Sequence, residues 1–156
     1  MKLHNLLKQD MIITELESED REGVLKEMVD FLKKKKIIAK DQELFKKLLQ
    51  REKLGSTAIG EGVAIPHCKM KGVKNPVVML AVSKKSVDYQ SLDGKPTYVF
   101  FLVVSSPDNP SLNLQILAAI AHLVRKSSSL EKKILRAENI SSILDVIRKE
   151  EEKLNG

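Results

Sequence analysis

Apolar residues recur at two different spacings along this chain, and the change of spacing separates helical from extended parts. Over residues 20–36 the apolar side chains lie three or four positions apart, which is the period of one helix face. A second stretch with this spacing begins at Asp41, the predicted N-cap, and Gly55 is its predicted end. The pattern therefore predicts two amphipathic helices in the first part of the chain.

After Gly55 the apolar residues gather into short runs rich in β-branched and aromatic side chains. These runs cover residues 64–65, 77–82 and 98–104, and turn-forming residues bound them. The last two runs are apolar at every position, which is typical of central strands covered by helices on both faces. Residues 86–96 contain an Asp-Gly turn signal and are predicted to add a short hairpin strand.

Helical spacing returns in the last third of the chain. A helix is predicted to open with Asn109 as N-cap and Pro110 as its first residue; further helices are predicted from about residue 128 and over residues 140–154. Helices on both sides of a group of strands predict an α/β fold with α+β character, a three-layer α-β-α sandwich with a mixed central sheet. Residues 1–156 are predicted to form a single domain.

The charge of the chain does not indicate a nucleic-acid-binding surface. The formal net charge is +6, but most basic residues are mixed with glutamates along the helical stretches. The one true run, residues 33–36, closes a predicted helix, where cations complement the helix dipole. Aromatic residues make up 4% of the chain and tryptophan is absent, so few side chains could stack on bases. A basic rim facing an acidic protein partner explains the charge equally well.

The apolar runs and the single cysteine indicate where the protein resides. The longest apolar runs are seven residues, far below the roughly 20 that cross a bilayer, so no membrane insertion is predicted. Charged residues interrupt the first 16 positions too often for a secretory signal. One cysteine excludes an internal disulfide and suits a reducing compartment. The predicted location is the cytoplasm.

Two familiar kinds of site can be tested on the segment that follows Gly55. Residues 55–60, GSTAIG, match the start of a phosphate-binding P-loop, but Glu61 and Gly62 occupy the positions that require lysine and serine or threonine. A nucleoside triphosphate is therefore not expected here. One cysteine and three scattered histidines do not supply three or four convergent ligands, so no metal site is predicted.

His67 is the candidate for phosphoryl transfer, because a neutral imidazole nitrogen is a nucleophile near pH 7. Pro66 has no N–H, so it is predicted to stiffen the approach to His67 and to end strand pairing there. The glycines at 60 and 62 are predicted to let the backbone come close to a ligand. A purely structural role is equally compatible with these residues, with His67 capping a strand and the glycines forming a turn.

Donors suited to a phosphate lie shortly before His67 in the chain. Ser56 and Thr57 offer hydroxyl and amide donors, and Arg51 offers a planar cation. Together with His67 they form a coherent set for binding a phosphoryl group. Their spacing alone does not establish that they meet in space.

Residues 51–67, REKLGSTAIGEGVAIPH, resemble the signature of the fructose/mannitol-type enzyme IIA domains of the bacterial phosphotransferase system. In style they are nearest to the nitrogen-regulatory members of that family. The resemblance continues through residues 87–96 and 113–118 and covers nearly the whole chain. It implies a mixed sheet between helical layers, in agreement with the pattern of apolar positions.

The resemblance also implies a function, that of a cytoplasmic phosphocarrier. His67 would accept a phosphoryl group from the phosphohistidine of a small HPr-type carrier protein. It would pass the group to an enzyme IIB or hold it as a regulatory mark. Arg51, Ser56 and Thr57 match the positions that line the phosphate, and no metal or organic cofactor is implied. Dimerisation of the chain is left open.

Four positions depart from the family pattern. Ala58, Glu61 and Cys68 replace the residues that are usual there, and Glu61 is expected to add negative charge near the phosphoryl group. The largest departure is Asn113, which stands where the family has a second histidine that helps to stabilise the phosphoryl group. Asparagine can donate a hydrogen bond but cannot become a cation.

The other two histidines do not replace the missing partner. His122 lies nine positions after Asn113, on the opposite face of an ideal helix, and His4 is near the terminus. Glu61 and Asn113 therefore motivate a second hypothesis: a regulatory protein-binding module that keeps the fold with impaired phosphotransfer. The carrier is favoured by the joint presence of Arg51, Ser56, Thr57 and His67.

Overall fold

The structure is a computed structural model and describes residues 1–155. The helices within these residues are α1 (Leu3–Leu6), α2 (Arg21–Lys34), α3 (Asp41–Lys53), α4 (Pro110–Lys126), α5 (Leu130–Arg136) and α6 (Ile140–Asn155), with a 3₁₀ turn at Gln9–Met11. The strands are β1 (Ile12–Ile13), β2 (Ala58–Gly60), β3 (Val63–Ala64), β4 (His67–Lys69), β5 (Val77–Val87) and β6 (Thr97–Ser105). Among these helices none combines the length and the apolar content that crossing a membrane requires.

A mixed sheet is built around β6. On one side β6 pairs with the antiparallel β5, which in turn pairs with the parallel β1. On its other side β6 pairs in parallel with two short strands, first β3 and then β4, and β2 lies antiparallel to β3. The register sets Val63 opposite Val99 and His67 opposite Val103. The predicted mixed central sheet is confirmed.

Both faces of the sheet are covered, which confirms the three-layer sandwich. Leu25 of α2 and Leu48 of α3 pack with Phe100 in the core on one face. Ile120 of α4 and Ile147 of α6 pack with Phe101 and its neighbours in the core on the opposite face, to which α1 and α5 also contribute. Since successive side chains of β6 point to opposite faces, both cores require an uninterrupted apolar run.

Most predicted helix ends are correct, and one is wrong. The side chains of Asp20 and Asn109 accept hydrogen bonds from the backbone N–H three residues on, at 2.7 and 3.2 Å, as N-caps do. Asp41, the N-cap predicted for the second helix, is instead the first residue of α3, and Lys40 precedes the helix without a side-chain cap. The Asp41 carboxylate lies 3.5 Å from the Lys33 ammonium, which gives it a different partner.

The extended regions differ more from the prediction. Residues 86–96 do not add a separate hairpin strand: β5 continues to Val87, and the chain turns before β6 begins. The predicted strand at residues 64–65 is observed as Val63–Ala64. Strands β1, β2 and β4 were not predicted, because two or three residues cannot display a period and only their pairing defines them.

Candidate functional site

The backbone around Pro66 attaches His67 to the central strand of the sheet. The prediction that Pro66 ends strand pairing is wrong. The Pro66 carbonyl accepts a hydrogen bond of 3.0 Å from the Val103 N–H, so pairing with β6 passes from β3 through Pro66 into β4. Only the N–H of Pro66 is absent from the ladder. His67, the first residue of β4, therefore sits on a rigid support.

One hydrogen bond decides which nitrogen of His67 is available for chemistry. The Nδ1 atom lies 2.7 Å from the carbonyl oxygen of Ile65. A carbonyl oxygen only accepts, so Nδ1 carries the proton and donates it. In the neutral ring the lone pair is consequently on Nε2. The half-buried His67 thus has a defined tautomer with Nε2 as its nucleophilic atom.

The surroundings of His67 keep its ring neutral. Burial lowers the pKa of His67 below its ordinary value, and the nearby Arg51 guanidinium lowers it further. The hydrogen bond to Ile65 and the Glu52 carboxylate act in the opposite direction without reversing the shift. At neutral pH the imidazole is therefore uncharged, the form that can attack phosphorus.

Arg51 lies in the last turn of α3 and contacts the loop that follows this helix. Its Nη1 atom donates a 2.8 Å hydrogen bond to the carbonyl of Gly55. We call residues 54–57 the site loop. The bond fixes the guanidinium beside the site loop, and its remaining N–H groups make no ion pair within residues 1–155. A fixed planar cation with free donors suits a phosphoryl group.

Ser56 and Thr57 use their hydroxyl protons within the protein. The Ser56 hydroxyl donates to the Tyr89 carbonyl at 2.6 Å and accepts from the Ala58 N–H at 3.1 Å. The Thr57 hydroxyl donates to the Glu52 carboxylate at 2.5 Å, and Thr57 is buried. In this arrangement both side chains hold the site loop in shape. That they also line a bound phosphate stays a prediction.

Glu52 and Tyr89 organise the site and were not predicted to belong to it. The Glu52 side chain, 2% exposed, accepts hydrogen bonds from the Thr57 N–H at 2.8 Å, the Thr57 hydroxyl and the Tyr89 hydroxyl at 2.8 Å. The sequence does contain a signal for Glu52: it lies four positions after Leu48, on the buried stripe of α3. A carboxylate on a buried helix face requires such partners.

Asn113 lies in the first part of α4, the helix that follows β6. Its side chain is 6% exposed, and its amide makes no hydrogen bond within residues 1–155. No hydrogen bond joins it to His67. Its amide atoms are not among the fully buried polar atoms that lack a partner, so its donors and acceptor stay accessible to solvent or to a bound group.

The glycines before His67 form a turn that packs against other elements. A Cβ on Gly62 would lie 2.8 Å from Cγ of Glu131, so the turn needs glycine to approach α5. Glu61 in this turn has a left-handed φ of 58°. Together with burial, its carboxylate raises the pKa of Glu131, and it is not among the charges that shift the pKa of His67. That Glu61 also adds negative charge near a phosphoryl group on His67 stays a prediction.

The remaining cysteine and histidines have other environments. Burial raises the pKa of Cys68 to about 12, so its side chain is a neutral thiol at pH 7. His122 is exposed while Asn113 is buried, which confirms their placement on opposite faces of α4. His4 makes a tertiary contact, because its Nδ1 lies 2.6 Å from a carboxylate oxygen of Glu151. Within residues 1–155 no three acidic, histidine or cysteine side chains converge as a metal site would require.

Fold and site together define a class of protein: a three-layer α/β domain that presents one neutral, tautomerically defined histidine beside an arginine. Residues 5–150 match the family model for the phosphoenolpyruvate-dependent sugar phosphotransferase system, EIIA 2. The chain belongs to this family, as residues 51–67 indicated.

Its relatives include both sugar-specific and regulatory proteins. The chain is 36% identical over 147 residues to the fructose-specific EIIABC component of the phosphotransferase system of Bacillus subtilis, of which it spans only 23% of the length. It is 30% identical over 148 residues to the nitrogen regulatory protein of Bradyrhizobium diazoefficiens, covering 94% of this chain and 95% of that protein.

Solved structures share the fold. Nitrogen regulatory protein IIA-Ntr from Neisseria meningitidis has a TM-score of 0.84 at 23% identity, covering 93% of this chain and 98% of that one. Enzyme IIA mannitol of Escherichia coli, in complex with phosphorylated enzyme IIB mannitol, has a TM-score of 0.74 at 15% identity, covering 92% and 99%. At these identities the likeness establishes the architecture alone.

Proposed function

We propose that this protein is a phosphocarrier that accepts a phosphoryl group on Nε2 of His67. The donor is the phosphohistidine of an HPr-type carrier protein, and the group is passed to an enzyme IIB or kept as a regulatory mark in the cytoplasm. The observation that carries the proposal is the hydrogen bond from Nδ1 of His67 to the Ile65 carbonyl, because it leaves the Nε2 lone pair free.

The transfer step follows from this tautomer. Nε2 of His67 attacks the phosphorus of the donor; the donor's N–P bond breaks, and its electron pair returns to the donor imidazole. The Nδ1 proton stays in its bond to Ile65, so the product ring is positive beside a negative phosphoryl group. In the onward transfer the leaving group is then a neutral imidazole, which departs more easily than an anion.

The phosphoryl oxygens need hydrogen-bond donors. We assign this role only to those predicted residues whose N–H or O–H groups are not already used within the protein. Arg51 contributes unused guanidinium N–H groups and Asn113 an unbonded amide. Ser56 and Thr57 shape the site loop, since their hydroxyl protons are already donated to Tyr89 and Glu52. Arg51 is thereby the only cation we assign to the phosphate.

Exposed apolar side chains supply a surface on which protein partners could dock. Leu54, Ile59, Leu92 and Leu114 are all more than 40% exposed. Leu54 lies in the site loop and Ile59 in β2, Leu92 follows Tyr89 by three residues, and Leu114 is next to Asn113. Apolar residues that flank a reactive group are typical of a docking surface. In the proposal, the donor and acceptor proteins use this surface in turn.

A regulatory role for the phosphoryl group is the second candidate. Asn113 favours it, because an uncharged amide stabilises a dianion less than a cation does, and slow turnover suits a mark better than a carrier. The likeness to a nitrogen regulatory protein over nearly the full length of both chains supports the same direction. If phosphotransfer were lost completely, the protein would act only as a regulatory binding module.

Intact-mass spectrometry at mildly alkaline pH tests the proposal directly. The protein is incubated with phosphoenolpyruvate, enzyme I and an HPr-type carrier, beside a His67→Ala variant. The expected result is one acid-labile phosphate adduct on the native chain and none on the variant. The His122→Ala variant is the matched control and should retain the adduct, because His122 is exposed on the far face of α4. A well-folded native chain that gains no adduct would leave only the binding module.

A further inference from the structure

A cavity of about 690 Å³ opens at the end of the sheet where β4 stops and β5 begins. It lies between the turn after β4, residues 70–76, and the connection between α2 and α3, residues 36–40. Its volume is within the roughly 300–1,000 Å³ that small-molecule sites occupy. His67, Arg51 and Asn113 do not line it, so the phosphotransfer site does not account for it.

The floor of the cavity is aliphatic. Met11, Ile38, Met70 and Val78 are buried at its base, and Ile37 is exposed at its lip. No aromatic ring lines the cavity, so nothing there could stack on a nucleotide base. A ligand on this floor would gain chiefly by burying a flexible aliphatic group.

The rim carries positive charge that the protein does not neutralise. The lysines at the rim are Lys8, Lys36, Lys40, Lys71 and Lys74, and with Asp10 they give a net charge of +4. None of the five makes an ion pair within residues 1–155. Like charges gathered at one opening disfavour each other, and an anion bound among them would relieve that repulsion.

The backbone at the rim is also accessible. Apart from Gly72 and its two chain neighbours, nothing lies within 4 Å of the position that a Cβ on Gly72 would take, so the turn after β4 leaves open space there. Gly72 has a φ of 89°, a conformation that favours glycine. An anionic group could therefore approach the main chain between Lys71 and Lys74.

We propose that this cavity binds a small organic anion with an aliphatic body, the anionic group held by the lysine rim and the chain on the apolar floor. Charge complementarity selects the head group, and the absence of rings selects an aliphatic rather than an aromatic body. A carboxylate and a phosphate monoester share this chemistry. The cavity is separate from the phosphotransfer site, so the proposal is tested by measuring ligand binding to the unphosphorylated protein.

Titration followed by ¹H–¹⁵N NMR tests the proposal, with decyl phosphate and decanoate as probes. Both are kept below the concentration at which they form micelles. We expect saturable shifts of the Gly72, Asn75 and Ile38 amides, with one of the two probes binding more tightly and so identifying the head group. Inorganic phosphate and the uncharged decyl maltoside are expected to bind at least about tenfold more weakly, since each satisfies only half of the site.

Charge reversal at the rim provides the decisive variant. Lys71→Glu with Lys74→Glu should weaken binding of the anionic probe about tenfold or more, because both side chains are exposed at the opening. Lys126→Glu with Lys132→Glu is the matched control: it makes the same change of net charge at exposed positions that do not line the cavity, and binding should change less than about twofold.

The apolar half of the site has its own variant. Ile37→Ser should weaken decyl phosphate and leave inorganic phosphate unaffected, because Ile37 is an exposed lip residue whose loss removes only apolar contact. Three results would overturn the proposal: no saturable shift at the cavity, equal weakening by both lysine pairs, or inorganic phosphate binding as tightly as decyl phosphate. In the first case the lysine stems merely cover apolar surface.

Discussion

Two regions of this molecule each hold a histidine through Nδ1 and bury a glutamate, yet they use these groups differently. At the site, His67 donates to a carbonyl and Glu52 accepts only from uncharged donors. At the C-terminal cluster, formed by His4, Ser127, Lys133, Glu150, Glu151 and Lys153, the histidine contacts the Glu151 carboxylate, and Glu150 accepts from two lysines and a serine.

The C-terminal cluster uses its histidine and glutamates for stability, whereas the site around His67 leaves groups available for reaction. In the C-terminal cluster Lys133 of α5 pairs with Glu150 of α6, and the His4 ring of α1 hydrogen-bonds to Glu151 of α6, so these groups join α6 to α5 and α1. At the site Arg51 and Glu52 are neighbours in the chain and make no ion pair within residues 1–155. Their opposing fields both reach His67, and the Arg51 cation remains available to an anion.

The largest predicted contrast lies between the two histidines. His67→Ala should remove the phosphate adduct completely, whereas His4→Ala should leave phosphorylation unchanged within about twofold and lower the free energy of unfolding by about 1–2 kcal/mol. Losing His4 removes one partner of Glu151, which still accepts from the Leu3 and His4 N–H groups. Intact-mass spectrometry and urea unfolding measure the two effects. Loss of the adduct in His4→Ala would contradict the separation.

Arg51 and Glu52 should move the pKa of His67 in opposite directions. Arg51→Gln should raise it and Glu52→Gln should lower it, because the guanidinium disfavours the imidazolium and the carboxylate favours it. Arg51→Gln should also slow phosphorylation by about tenfold or more, the cost of a lost charge-assisted bond. Titration of the His67 ring by NMR gives the sign of each shift. Shifts of the same sign would show that the change is in burial and not in charge.

The pH profile of phosphorylation follows from the lowered pKa of His67. Below its ordinary value of 6.5 an exposed histidine protonates and loses its nucleophilic lone pair. His67 should stay neutral to lower pH than an exposed histidine, so the midpoint of the fall in rate should lie below pH 6.5. The rate is measured with a pre-phosphorylated donor so that enzyme I does not limit it. In the Arg51→Gln variant the fall should move to higher pH, and an unchanged midpoint would contradict the assigned cause.

Much of this fold was predictable from the sequence, because its long helices and its two central strands carry repeated patterns. The apolar runs that became β5 and β6 could only be satisfied by helices on both faces, and Asn109 with Pro110 marked the start of α4. Strand β4 could not be predicted, since it consists of three residues defined only by pairing with β6. The continuation of pairing through Pro66 depends on a carbonyl, which every residue possesses.

The site was predictable in part. His67 and Arg51 could be selected by their chemistry, but the proton on Nδ1 of His67 depends on the position of the Ile65 carbonyl, a tertiary fact. Tyr89 reaches Glu52 across 37 positions of the chain, and nothing local to either residue records that contact. The bonds that the Ser56 and Thr57 hydroxyls donate to Tyr89 and Glu52 could not be predicted from the sequence either, because they depend on the fold.

A smaller effect, on the free energy of unfolding, is expected when the buried carboxylate of Glu150 is neutralised. Burial acts to raise the pKa of Glu150, but hydrogen bonds from Lys153, Ser127 and Lys133 outweigh it and lower the pKa to about 2. The stabilisation by Glu150 is thus complete above its ordinary pKa of 4.5 and is lost as the pH falls toward 2. Glu150→Gln should cost about 1–2 kcal/mol at pH 7, nearly the same at pH 5, and clearly less at pH 3.

Urea unfolding at these three pH values measures the difference between the variant and the native chain. A difference for Glu150→Gln that does not shrink with falling pH would show that shape, and not charge, is what the C-terminal cluster requires.

The smallest predicted effect is that of Asn113→His on the lifetime of phosphorylated His67. The position is buried and lies in the first part of α4, and both burial and the helix N-terminus disfavour a positive charge there. A histidine in Asn113→His should therefore be mostly neutral at pH 8 and gain charge only as the pH falls. Phosphorylated His67 should consequently live about two- to fivefold longer at pH 6 and nearly unchanged at pH 8. Asn113→Gln controls for size, and an equal gain at both pH values would assign the effect to packing instead of charge.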